Sequence, residues 1–228
     1  MEAIRLLRVA RSGAVKAHTA ALCQLGELLV TAPEPLRQQL TSQRKTLPGR
    51  AMLCARLRPD RTRLEDPGQA AKLALRAVAD RALALRQQVR QLDQQLSRLV
   101  TRAAPRTTAL LGVGTVHASQ LLVTAGQNLQ RLRSEAAFAH LCAADPIPAS
   151  SGKTTRHRLN PGGDRDANMT LHMVAVVRLR YCQRTRAYAQ RRTAQGKSKR
   201  EVLRCRKRYL ARQLYHTLQA DLAALNNT

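Results

Sequence analysis

The stretch LRAVADRALALRQQVRQLDQQLSRL, residues 75–99, decides the fold class. Leu75, Val78, Ala82, Leu85, Val89, Leu92, Leu96 and Leu99 follow one another at alternating steps of three and four, and Gln and Arg fill most positions between them. That is the a/d seam of a long helix, spanning residues 68–104 with its flanks. A helix striped in this way must cover its seam. The cover is residues 1–31 in an antiparallel hairpin, a second subunit, or both.

Outward from the seam, residues 1–31 contain no Pro and read as a helix, with Leu7, Ala10, Ala14, Ala17, Ala21 and Leu28 at steps of three, four and seven. Residues 32–67 hold five of the nine prolines and predict a connection with one short helix around Ala51–Arg58. Residues 106–144 predict short helices, including Ser134–Ala143 with Ser134 as N-cap. Residues 145–164, rich in Pro and Gly, predict a loop. Asp164 caps a helix running to about Arg192, and Ser198 with Glu201 forms a capping box for a last helix to about Leu225. No segment alternates as a strand. The expected architecture is mainly α in two parts: a helical, coiled-coil region at 1–104 with a linker at 32–67, and a second helical domain at 105–228.

Composition agrees with helices. Of 228 residues 44% are hydrophobic but only 2% aromatic, so the core is built from Ala, Leu and Val. Forty Lys and Arg stand against fourteen Asp and Glu, a net charge of +26. Such a charge repels itself unless it meets a polyanion, and nucleic acid is the first candidate. Arg outnumbers Lys 33 to 7, which suits bidentate phosphate recognition and equally follows from a GC-rich coding sequence. Residues 153–212 carry eighteen basic and three acidic side chains. On the last two helices these charges lie opposite apolar stripes, Val174, Val177, Tyr181 and Leu203, Leu210, Leu214. One face would pack and the other would meet phosphate. The five cysteines are scattered without metal spacing, and no window resembles a signal peptide or membrane span. The expectation is a cytoplasmic, nucleoid-associated protein with no membrane partner.

Three short motifs bear on chemistry. Leu111-Gly112-Val113-Gly114-Thr115-Val116 fits the turn of a helix-hairpin-helix element, in which Gly112 and Gly114 let the backbone approach a DNA phosphate. Gly152-Lys153-Thr154 resembles the end of a phosphate-binding P-loop, but the required glycine is replaced by Ile147, and nucleoside-triphosphate binding is rejected. Asp164 and Asp166 read as an N-cap and a first-turn charge rather than a metal site, and no metal ligands are assigned. The loop from Pro146 to Asn168 is richer. Ser150 and Ser151 precede Gly152 and lie within eight residues of Lys153, Arg156, His157 and Arg158. Those basic groups, with Arg165, can neutralise a phosphodiester, and His157 can accept a proton from a serine hydroxyl. From residue types alone this is a phosphate-binding loop, with a catalytic serine as the sharper alternative.

The run from Leu111 to Leu218 resembles the C-terminal transposase domain of the insertion-sequence 110 family, also called the 116/110/902 type. The resemblance rests on LLGVGTVHASQLLVTAG, RSEAAFAHLC, PIPASSGKTTRHRL, GGDRDAN and RTAQGKSKREVLRCRKRY. Residues 1–104 are similar to the end of that family's N-terminal domain and its coiled coil. The resemblance implies a DNA recombinase acting at transposon ends and target. In it a RuvC-like domain holds Mg2+ through four acids, and a serine beside a glycine joins DNA as a phosphoserine. Carried onto this chain, that serine is Ser151, and Ser150 is one residue off the motif. Gly112 and Gly114 carry the hairpin, and the Leu75–Leu99 seam carries the oligomerising coiled coil. A guide RNA is a further partner implied.

The four-acid domain would precede Met1. Glu2, Glu27, Glu34, Asp60, Glu65 and Asp66 have neither its spacing nor its strand context. The expectation is therefore a transposase lacking its N-terminal part and inactive alone, binding no cofactor of its own. Asp145 and Pro161 also depart from the family pattern. The alternative is a non-catalytic DNA- or RNA-binding coiled-coil module that modulates a full-length transposase.

Overall fold

The computed structural model describes residues 1–126, 132–150, 152, 157–158 and 160–226. The chain divides into two compact units, Val9–Gln94 and a second made of Met1–Arg8 with Gln95–Thr228. The division falls within the two long helices.

In the Val9–Gln94 unit, α1 (Glu2–Thr31) is followed by α2 (Glu34–Gln43), α3 (Leu47–Cys54), a 3-10 turn at Arg61–Arg63 and α4 (Pro67–Ala103). Arg11 pairs with Asp93 and Gln24 with Arg81, so α1 and α4 run antiparallel in this unit. Of the alternatives for covering the seam, the intramolecular hairpin is present. It buries Leu75, Val78 and Ala82, whereas Leu85, Val89 and Leu92 remain half-buried.

The α1 stripe differs from the expected one. Ala14, Ala21, Leu25 and Leu29 are buried, but Ala10 and Ala17 are exposed, and half-buried Arg11 and His18 share the seam with Ala14 and Ala21. An alanine offers so little apolar area that the stem of a paired arginine displaces it.

The connection at 32–67 is also more ordered than expected. Pro35 and Pro48 stand in the first turns of α2 and α3, where the missing N–H costs nothing and the fixed φ favours the helix. Thr46 caps α3 by accepting from the Gly49 N–H at 3.3 Å. These prolines start helices; read as breakers, they hid α2 and shifted the one expected helix to Ala51–Arg58, where α3 runs Leu47–Cys54. Leu36, Leu40, Ala51 and Cys54 then pack with Leu25 and Leu29 into one core.

The second unit continues from the end of α4 into α5 (Pro105–Thr108), α6 (Thr115–Ala125), α7 (Glu135–Leu141), a two-residue ladder of β1 (Ile147–Pro148) with β2 (His157–Arg158), α8 (Arg165–Tyr181), α9 (Gln183–Ala194) and α10 (Lys199–Asn226). The last helix is its spine, packing against α5, α7, α8 and α9. Its apolar line Leu210, Leu214, Leu218 and Leu222 meets Phe138 of α7 and Leu171 and Val174 of α8. The three expected caps form. Ser134 accepts from Ala137 N–H, Asp164 from Asp166 and Ala167 N–H, and Ser198 and Glu201 exchange backbone and side-chain bonds reciprocally.

Three expectations are corrected here. The helix beginning at Asp164 does not run to Arg192. It stops at Tyr181, because Cys182 adopts an extended backbone (φ −104°, ψ 114°), and α9 starts afresh. No Pro or Gly marks this break; it lets α8 and α9 both lie on α10. Tyr181, placed on the packed stripe, is exposed just before that break. Finally, a ladder pairs Ile147 with Arg158 and Pro148 with His157 where no strand was expected, since two residues are too few to show alternation. Among the described residues no helix is long and apolar enough to cross a membrane.

Candidate nucleic-acid interface

The β1–β2 ladder gathers the ends of the serine loop. Its base is fastened by Asp145, whose carboxylate accepts from Asn160 Nδ2 at 2.7 Å and lies 2.9 Å from His140 Nδ1. Asn160, buried, in turn accepts from the Gly162 N–H. Burial alone would push the Asp145 carboxyl up, but the bonds from Asn160 and His140 outweigh it and hold the group below the usual carboxylate range. The departure at Asp145 thus has a structural task. Gly163 follows, so close to the end of α7 that a Cβ would stand 2.5 Å from Ala143 N. Only glycine lets the chain pass there before Asp164 caps α8. The other Asp164 oxygen accepts from Gln120 and Thr124 of α6.

Against this loop lies an open cleft of about 650 Å³. The loop contributes Asp145, Pro146, His157 and Arg158. From α9 come Tyr188, Arg191 and Arg192, and Lys197 follows it. From α10 come Glu201, Arg204, Lys207, Arg208 and Tyr209. Seven lysines and arginines therefore face two carboxylates. Arg204 donates to the His157 carbonyl at 3.2 Å, tying α10 to the loop. Lys207 is buried, with its Nζ 2.8 Å from Asn168 Oδ1. Burial and then the neighbouring Arg204 lower its pKa below the ordinary lysine value. Among the described residues this ammonium has no carboxylate partner, which favours an incoming anion, because the anion offsets part of its desolvation.

The sequence-derived site residues separate into groups. His157 and Arg158 line the cleft. Ser151, Lys153 and Arg156 lie outside the described residues. Arg165 stands exposed at the first position of α8 and is not among the cleft-lining residues. Gly112 and Gly114 lie in the α5–α6 connection. Gly112 has φ +86°, and a Cβ there would meet Val177 Cγ1 at 3.3 Å and the Val174 carbonyl at 3.4 Å. Its missing side chain accommodates α8 of the same chain. Gly114 opens α6, with nothing within 4 Å of where its Cβ would be. α5 is a single turn of four residues, pinned by Asp221 of α10, which accepts from the Arg106 and Thr107 N–H groups and the Thr107 hydroxyl.

The residues that sequence reasoning missed individually are Arg191, Arg192, Lys197, Arg204, Lys207, Arg208 and the two tyrosines. The excess of charge over 153–212 located them as a group, but which arginines converge depends on the break at Cys182 and the seating of α10.

The Mg2+ that the resemblance implies does not fit the residues present. Among the described residues no three His, Cys, Asp or Glu side chains stand together as metal ligands. Both Asp164 oxygens are taken by hydrogen bonds.

Residues 104–190 match a family described as Transposase IS116/IS110/IS902 family, in agreement with the resemblance drawn from the motifs. A comparison with curated proteins finds no match.

Proposed function

We propose that the chain, whose residues 104–190 match that transposase family, binds DNA along the cleft beside the β1–β2 loop and that Ser151 is the nucleophile of strand exchange. The observation that supports this most is the convergence of Arg158, Arg204, Lys207 and Arg208 on the loop that carries the serine. Cations placed around a phosphodiester stabilise the charge that grows on its oxygens during attack. In the step itself the Ser151 oxygen bonds to phosphorus, its proton passes to a base, and one P–O bond breaks. The displaced strand leaves as an alkoxide and takes up a proton. His157 is exposed on the cleft wall and suits the proton transfers. Attack by a strand's hydroxyl on the phosphoserine reverses the bonds and releases the enzyme. Transposon ends and target are the DNA.

The test mixes this chain with a serine-less, acid-bearing transposase of the family and DNA carrying transposon ends. The expected result is a protein–DNA adduct that survives SDS and disappears in Ser151→Ala. No adduct under any condition overturns the catalytic reading and leaves the non-catalytic DNA-binding module.

A second proposal concerns assembly. Leu85, Val89 and Leu92 remain half-buried on α4, and a second copy of the chain would complete their cover. Light scattering is expected to give a multiple of 25.3 kDa, reduced by Leu85→Glu with Leu92→Glu. A monomeric wild type overturns it.

A further inference from the structure

The break at Cys182 opens a second cleft, of about 720 Å³, between the end of α8, α9 and α10. Arg178, Arg184, Arg191 and Arg206 line it together with Tyr188 and Tyr209, and no carboxylate is among its lining residues. Arg178 is buried. Its guanidinium donates to the Leu111 carbonyl at 2.8 Å and to Gln213 at 2.7 Å, and it is not matched by any acid in the cleft. Burial first, and then Arg206, lower its pKa from the ordinary arginine value. The Nε of Arg206 is itself buried without a hydrogen-bond partner. A desolvated Arg178 beside the charge of Arg206 is an electrostatic cost that an anion in the cleft would offset.

The aromatic residues point the same way. The chain has four tyrosines and one phenylalanine. Phe138 and Tyr215 are core, but Tyr188 and Tyr209 meet edge to face at the shared wall of the two clefts, with ring centroids 5.9 Å apart. The guanidinium carbons of Arg191 and Arg206 lie 5.7 and 5.3 Å from the Tyr188 ring centre. Tyr209 is 53% exposed. A packing role leaves rings covered. An exposed ring beside a half-buried one, set among arginines with no acid in the cleft, matches the way proteins hold single-stranded nucleic acid, with bases on aromatic faces and phosphates on cations.

We propose that the cleft at the α8–α9 break binds one unpaired nucleotide, its base against Tyr188 and Tyr209 and its phosphate on Arg178, Arg184 and Arg206. The inference rests on the reading of this chain as a nucleic-acid-binding protein. It adds that a strand engaged at the serine loop is held single-stranded one wall away, since the tyrosine pair borders both clefts. RNA and DNA share this chemistry.

Cys182 lines the cleft and is a built-in reporter. The side-chain and backbone hydrogen bonds with Thr185 lower its pKa from the ordinary thiol value, which favours alkylation. Exposed Cys23, in the other unit, is the reference. The full-length chain is treated with N-ethylmaleimide alone, with a blunt duplex, and with single-stranded DNA or RNA of one sequence carrying 2-aminopurine. Alkylation of each cysteine is read by mass spectrometry. Single strands are expected to slow Cys182 at least about tenfold and leave Cys23 unchanged, while duplex has a smaller effect. Tyr188→Leu with Tyr209→Leu is expected to weaken single-strand affinity about tenfold or more, with duplex affinity within about twofold. Exposed Arg184→Ser, which carries no packing role, is expected to weaken single strands in the same direction and guards against misfolding of the double variant. Protection by RNA alone, DNA alone or both upholds the pocket and names its source. Unchanged Cys182 reactivity at saturating single strand, with duplex still bound, overturns this inference while leaving the proposed function standing. Failure to bind any nucleic acid overturns both.

Discussion

The Val9–Gln94 unit buries Leu, Ala and Val from four helices, and none of the buried polar side chains among the described residues lies in it. The other unit buries Thr107, Asn160, Arg178, Lys207 and Asp221 among others, each held by a partner far away in sequence. Both units are basic: fifteen Lys and Arg with seven acids in the first, twenty-five with seven in the second. Net sign therefore does not separate them; desolvation does. The hairpin unit fully buries none of its cations, which cost little and recognise little. The second unit draws Arg178 and Lys207 out of water, which is unfavourable for an empty protein and useful for one that receives a polyanion.

That contrast can be broken by substitution. The largest stability effect is expected from Phe138→Ala, the largest fully buried side chain, at about 3–5 kcal/mol. Urea unfolding followed by circular dichroism measures it, and a loss below 1 kcal/mol would mean that α7 does not anchor its unit.

Asp221→Ala comes next, at about 1–3 kcal/mol, because it leaves Arg106 and Thr107 donors without their acceptor at the start of α5. The same unfolding curve decides it. Ser198→Ala is expected to cost about 1 kcal/mol through the lost cap of α10.

Arg11→Ala, in the hairpin, removes a partly exposed pair with Asp93 and is expected to cost less than about 1 kcal/mol. Should Arg11→Ala prove as damaging as Asp221→Ala, the distinction between an apolar unit and a polar-ordered one fails.

The smallest effect is one of pH. The folded Asp145 carboxyl sits below its unfolded value of about 3.9. Its bonds to Asn160 and His140 therefore stabilise loop closure fully above that value, and the contribution is lost as pH falls through the lower folded pKa. Cleavage of the 145–164 loop by an acid protease should rise over that window in the wild type. Asp145→Asn is expected to cut equally fast across it; a matching rise in the variant would remove Asp145 as the cause.

The long elements were legible in the sequence because each has a local cause. The α4 seam repeats a packing period, Asp164 and Ser134 cap with their own side chains, and Ser198 with Glu201 closes a box within one turn. The family resemblance was legible for a similar reason, its motifs being short runs between Leu110 and Tyr209, most of them within the matched residues 104–190. Three features were misread where two local signals competed. Pro35 and Pro48 start helices as readily as they end them, Ala10 and Ala17 carry too little area to choose a face, and nothing in the residues around Cys182 announces an extended backbone.

What the sequence alone determined is therefore the helical class, the placement of the long helices, the excess of positive charge over 153–212 and the serine loop that gives the chain its likeness to a transposase. These follow from periodicity, capping and composition, which act over a few residues. Only the tertiary structure decided which arginines lose their water, that Lys207 lies buried against Asn168 beside the loop, and that Tyr188 and Tyr209 stand at the wall between two basic clefts. Those depend on how α8, α9 and α10 seat on one another. Desolvation and convergence are properties of that packing, summed over residues tens of positions apart, 67 for Arg178 and Leu111, and no local pattern encodes them.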